Sequence, residues 1–168
     1  MNPAEKTPSE PSFEQMLSLR SEHCSAYIRL IAEATESIAW LDDNYSESGI
    51  NGLTCATQLR EFLLGSSKRR VRILTYKDQF LATKAPRFTS LLKTFSQQIT
   101  VRLVHPEDWQ GQAMILADGR HVLNRPQADR WRGFLAFDAS AQSEPLALKF
   151  DRLWDNAAPC LGPTTLGL

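Results

Sequence analysis

The sequence lacks an excess of charge of either sign: 19 lysines and arginines balance 19 aspartates and glutamates. No global field therefore draws the chain to nucleic acid or anionic lipid, although a local patch can still do so. Cysteine is also scarce. Cys24, Cys55 and Cys160 are odd in number and scattered, with no Cys-x-x-Cys and no Cys/His pair at zinc-ligand spacing. That pattern excludes a disulfide framework and fits reduced thiols packed as small hydrophobes. No run approaches the roughly 20 apolar residues of a membrane span. The first dozen residues carry Pro3, Pro8 and Pro11 with Glu5 and Glu10, and have neither the basic nor the apolar region of a signal peptide, so the expected compartment is the cytoplasm. Missing too are the Gly-x-x-x-x-Gly-Lys phosphate loop, a GxGxxG turn, a GxSxG elbow and HExxH. A glycine-bearing pyrophosphate loop for coenzyme A is equally absent, and no cofactor or metal is expected.

What is present is an ordinary globular composition, 42% apolar and 23% charged over 168 residues, enough chain for one domain with a real core. Residues 1–12, rich in proline and small polar side chains, read as a disordered tail, and the domain is expected over 21–157, after an N-terminal tail of 1–20. Pro159, Gly162, Pro163 and Gly167 mark 158–168 as a second, flexible tail.

Between the tails the hydrophobic period alternates between helix and strand. Cys24, Tyr27, Ile28, Ile31 and Ala34 recur at helical spacing, and an apolar run at 37–41 ends in Asp42-Asp43-Asn44. A second helix is expected over 53–64 with Gly65 as its stop, and a strand over 70–76. A third helix over 84–96 and a strand over 99–104 complete an alternation that signals crossover connections and parallel pairing. The period then changes. Residues 113–117, the Asp118-Gly119 turn and 121–123 form an antiparallel hairpin signal, followed by a strand over 133–137 and a closing helix over 143–156. The expected fold class is α/β, a mixed sheet flanked by helices, parallel in its first half and antiparallel in its second.

This order resembles one catalytic half of the phospholipase D superfamily. The similar segments are "ATESIAWLDDNY", "RRVRILTY", "MILADGRHVL" and the closing "ALKFDRLWDNA" with its Phe-x-x-x-Trp, together covering about residues 21–157. The resemblance implies a phospholipase D-like fold. Its enzymes carry His-x-Lys followed after four residues by Asp, the histidine attacking phosphorus and the lysine neutralising phosphate charge. With the family aspartate aligned on Asp118, Gly111 takes the histidine position and Ala113 the lysine position. His23, His105 and His121 are followed two residues later by Ser25, Glu107 and Leu123, so no other frame supplies the motif. The Gly-Ser-x-Asn segment is replaced by "VLNRPQADRW". The expectation is a degenerate, non-catalytic domain in which Asp118 is a turn residue.

Asn124, Arg125, Arg130, Trp131 and Arg132 lie just past the hairpin, where the family's phosphate pocket would be completed. Arginine forks bind phosphate oxygens bidentately and tryptophan stacks on bases, so these five are the candidate ligand-binding residues, against the alternative of a solvated loop capped by Trp131. The expected function is binding of a phosphate-bearing ligand or a protein partner. Because family halves work in pairs, a lone half points to a homodimer. Nucleic acid is supported only by this cluster and by the Lys68-Arg69-Arg70-Arg72 run, which reads more readily as a solvated corner. Asp42 and Asp43 are neighbours in an extended segment, point to opposite faces and share an ion poorly, so no metal is assigned and a turn or capping role is expected. Two alternatives remain. One is a phosphoester hydrolase using His105 or His121 with Glu107 or Asp118; the other is a purely structural assembly subunit.

Overall fold

A computed structural model describes residues 10–162. Strand β2 (Ser37–Asp42) is buried from its second residue on, and this unbroken apolar run suits a central strand covered on both faces. It pairs in parallel with β3 (Arg70–Thr75), which pairs in parallel with β4 (Ile99–Leu103). On its other side β2 meets the hairpin of β5 (Ala113–Ala117) and β6 (His121–Arg125) in antiparallel register, and β7 (Gly133–Phe137) continues antiparallel. One eight-stranded mixed sheet results, ordered β1-β7-β6-β5-β2-β3-β4-β8. The expected fold class is the observed one.

Its outermost strands correct the expected boundaries. β1 (Phe13–Leu17) lies within the stretch 1–20 assigned to a tail, yet it pairs along its length with β7. Only Phe13 and Leu17 carry its apolar pattern, too little for a period to show. The Arg29 guanidinium, between the Phe13 and Phe137 rings at 4.4 and 4.3 Å, holds it from the helical layer. At the far edge β8 (Ala158–Cys160), within the stretch 158–168 assigned to a tail, pairs with β4. Pro159 is tolerated because an edge strand leaves one row of its backbone groups unpaired. The remainder of both expected tails, 1–9 and 163–168, lies outside the described residues.

Helices cover both faces. α1 (Arg20–Glu33), α2 (Leu53–Leu64) and α4 (Pro86–Thr94) pack with Trp40, Ile73 and Ile115 in one core. Between β3 and α4 lies the one-turn α3 (Gln79–Thr83). α5 (Ser140–Asn156) covers the opposite face, where Phe150 and Trp154 meet Leu41, Leu74 and Met114. At the start of α1 the Glu22 carboxylate accepts the backbone N–H groups of Leu19 at 3.0 Å and Ser18 at 3.3 Å, satisfying donors that the helix cannot. No helix among the described residues is long and apolar enough to cross a membrane.

Candidate functional site

β2, β5 and β6 bring three residues together at one end of the sheet. Asp42 closes β2, Ala113 opens β5 and Arg125 closes β6, with Ala113 and Arg125 directly paired in the register. The outer two strands lie about 10 Å apart. Their side chains meet across the short Ala113 side chain, where Arg125 Nη2 donates to Asp42 Oδ1 at 3.2 Å. Both residues are buried, at 2% and 5% exposure. The position that the family resemblance reserves for a lysine thus lies beneath a pre-formed internal ion pair.

The surroundings of this pair are unusual for an interior. Burial pushes the Asp42 carboxyl up to about 6, against the pull of Arg125 and of the Asp43 N–H at 2.7 Å. The Trp131 ring lies 4.2 Å from the Arg125 guanidinium, and the edge of His23 meets the same indole with centroids 5.2 Å apart. His23 Nδ1 lies 2.9 Å from the Leu19 carbonyl and donates to it. Burial, helped by the charge of Arg125, lowers the His23 pKa and favours the neutral ring. Among the described residues Arg125 Nε and Nη1 and His23 Nε2 have no hydrogen-bond partner. Gly133 is required beside this cluster, since a Cβ there would stand 2.6 Å from His23 Nε2 and 3.0 Å from the Asn124 carbonyl oxygen.

The five candidate residues fall into three environments. Arg125 is buried and paired with Asp42. Trp131 is half-buried over it. The Asn124 side chain, on the opposite face of the sheet, accepts from Gln112 Nε2 at 2.7 Å, and Gln112 in turn accepts from Lys149 on α5. Arg130 and Arg132 are exposed, and among the described residues neither forms an ion pair. With Asn124, Gln127 and Phe134 they line a cavity of about 280 Å³.

Gly111 has φ +74° and open space where a Cβ would point. It lines a second cavity, of about 420 Å³, with Tyr76, Lys77, Trp109, Gln127 and Arg130. The segment after β6 folds back over it, the Ala128 N–H donating to the Gly111 carbonyl at 2.6 Å.

Asp118 and His121 lie at the other end of the β5–β6 hairpin. Asp118 accepts the backbone N–H groups of Thr35, Glu36 and Ser37 at 2.7–3.1 Å and the Thr35 hydroxyl at 3.1 Å. It is a turn residue with φ +57° that also clamps the α1–β2 connection. Buried His121 accepts the Asp138 N–H through Nδ1 at 3.0 Å. His105 is exposed and accepts the Glu107 N–H at 3.3 Å. The basic run is likewise engaged locally, Arg69 with the Phe62 carbonyl, Arg70 with the Ser67 carbonyl, and Arg72 with Asp151.

Sequence reasoning missed His23, the Asp42–Arg125 pair and the Tyr76–Trp109 stack. The pair's members are 83 residues apart, so no local spacing reveals it; the one available signal is a charged residue at the end of each strand.

Comparison with known proteins agrees with this architecture. A family model described as "Domain of unknown function (DUF7931)" matches residues 19–163, and no curated protein matches the sequence. Among solved structures, the phospholipase D family member Nuc from Salmonella typhimurium superposes with a TM-score of 0.67 at 12% identity, over 90% of this chain and 99% of Nuc. NucT from Helicobacter pylori gives 0.59 at 12% identity, over 88% of this chain and 99% of NucT. TrmBL2, an archaeal chromatin protein described with a novel mode of DNA binding, gives 0.66 at 14% identity, over 94% of this chain and 56% of TrmBL2. This chain therefore spans little more than half of TrmBL2. At these identities the likeness establishes a phospholipase D-like fold.

Proposed function

We propose that this chain, which belongs to the DUF7931 family, uses a phospholipase D-like fold to bind a phosphate-bearing ligand without transferring its phosphoryl group. The observation that carries this reading is the buried Asp42–Arg125 pair lying across Ala113. Covalent phosphoryl transfer needs a nucleophile and a cation free to face the phosphate. Here Gly111 offers no side chain, Ala113 no charge, and the nearest buried cation is already neutralised. Arg130 and Arg132 remain as exposed forks beside the 280 Å³ cavity, where they can take phosphate oxygens bidentately. Arg125 and Trp131 hold the 126–132 segment from beneath and act as positioning residues.

The test pairs binding with turnover. Inorganic polyphosphate is titrated calorimetrically, and bis(p-nitrophenyl) phosphate is incubated with the same sample. Binding without release of nitrophenolate is expected. Arg130→Ala with Arg132→Ala should lower polyphosphate affinity at least about tenfold, on the order of 1.5–3 kcal/mol for each charged hydrogen bond lost, with unfolding unchanged. Unaltered affinity would remove the proposed site. Turnover that disappears in His105→Ala or His121→Ala would establish a phosphoester hydrolase instead.

A further inference from the structure

Three cavities adjoin along one rim of the sheet. The first, about 260 Å³, lies beyond β2 and β3 and is lined by Asn44, Ser46, Lys77 and Lys84. Lys77 also lines the second, of about 420 Å³. Gln127 and Arg130 are shared between the second and the third, of about 280 Å³, which adds Arg132. Lys77, Lys84, Arg130 and Arg132 are all exposed.

Charge is unevenly spread along this track. The track holds four cations and two carboxylates: Lys84 lines one end cavity alone and Arg132 the other, while Lys77 and Arg130 are shared with the middle cavity, where both carboxylates, Asp43 and Asp129, lie. The same middle cavity is lined by the one aromatic pair of the track: Tyr76 and Trp109 stack with centroids 5.0 Å apart and planes 6° from parallel. A ligand matching this pattern carries anionic groups at both ends and a flat uncharged group between them.

We infer that the ligand is a single-stranded nucleic acid laid along the three cavities, an inference that rests on the phosphate-binding reading above. Its backbone phosphates meet the two cationic ends, and a base meets the aromatic pair between them, the combination by which single strands are held without sequence readout. A duplex keeps its base faces stacked inside and cannot use the aromatic pair. Polyphosphate has the charge but no flat group.

The test uses fluorescence anisotropy with a labelled ten-nucleotide single strand, competed by the corresponding duplex and by polyphosphate of equal charge. The single strand should bind at least about fivefold tighter than either competitor, as stacking of one base is worth about 1–3 kcal/mol. Lys77→Ala with Lys84→Ala, both outside the arginine cavity, should reduce the slope of log affinity against log salt by about 1.4. Trp109→Leu should weaken the strand roughly fivefold or more and leave polyphosphate binding unchanged. The competition needs no variant and stands even if Trp109→Leu unfolds the protein. Polyphosphate binding as tightly as the strand, with both insensitive to the lysine substitutions, would overturn the nucleic-acid track and leave the arginine site standing. Failure of every phosphate compound to bind would overturn both.

Discussion

Asp42 and Asp118 sit at opposite ends of the same sheet and solve opposite problems. Asp118 has no cation among its hydrogen-bond partners; partial burial works against its ionised form, but the backbone N–H groups of Ser37, Thr35 and Glu36 and the Thr35 hydroxyl hold its pKa below the usual carboxylate value. Asp42 has a formal counter-charge at 3.2 Å and nonetheless lies above that value, pushed up to about 6, because burial outweighs Arg125 and one N–H. Several aimed donors at a half-buried carboxylate count for more than one cation in a dry interior. The first aspartate secures a connection. Asp42 forms, with its arginine, a buried pair across Ala113.

Breaking the dry pair should have the largest effect. Arg125→Ala leaves the Asp42 carboxyl buried without its partner and should cost about 3–5 kcal/mol in urea unfolding. Replacing both members by apolar residues, Asp42→Leu with Arg125→Met, should recover most of that loss, since such pairs repay little beyond their own desolvation. A double variant as unstable as the single one would mean that Arg125 acts through Trp131 rather than through Asp42. Next in size is Asp118→Ala, which strips the α1–β2 connection of its acceptor and places alanine at φ +57°. A loss of about 2 kcal/mol is expected in the same measurement.

The pH dependence sharpens the contrast because the two signs differ. A carboxyl raised from 3.8 to about 6 contributes stability that is present below 3.8 and lost as pH rises to 6, since the folded state holds the proton longer. A lowered carboxyl contributes stability present above 3.8 and lost as pH falls through its folded value. Urea unfolding of Asp42→Asn should therefore lack the decline between pH 4 and 6, and Asp118→Asn should lack part of the loss below pH 4. The smallest effect expected is from Gly111→Ala, about 1 kcal/mol for an alanine at φ +74° in open space.

The sheet was largely legible because its central strands carry unbroken apolar runs and Asp118-Gly119 forms the turn that its chemistry specifies. β1 and β8 were not, since an edge strand buries one face at most; in β1 only Leu17 is fully buried, and β8 contains a proline. At the candidate site, Arg130, Trp131 and Arg132 could be chosen from local composition alone. The division of labour among them could not. Whether an arginine faces solvent or a buried aspartate depends on which strands become neighbours, and Asp42 reaches Arg125 only because the hairpin pairs β5 against β2. Lys77 and Trp109 were likewise hidden, brought to one rim by parallel strands ending together.

We propose that this fold retains binding while its transfer chemistry is absent. The most direct test incubates the labelled single strand with the protein at saturating concentration, follows anisotropy, and then resolves the strand by length. Raised anisotropy with a strand of undiminished length after prolonged incubation is the expected result. Shortened products that form with the wild type and vanish in Arg125→Ala, at a temperature where that variant is folded, would contradict it and give Arg125 a part in catalysis.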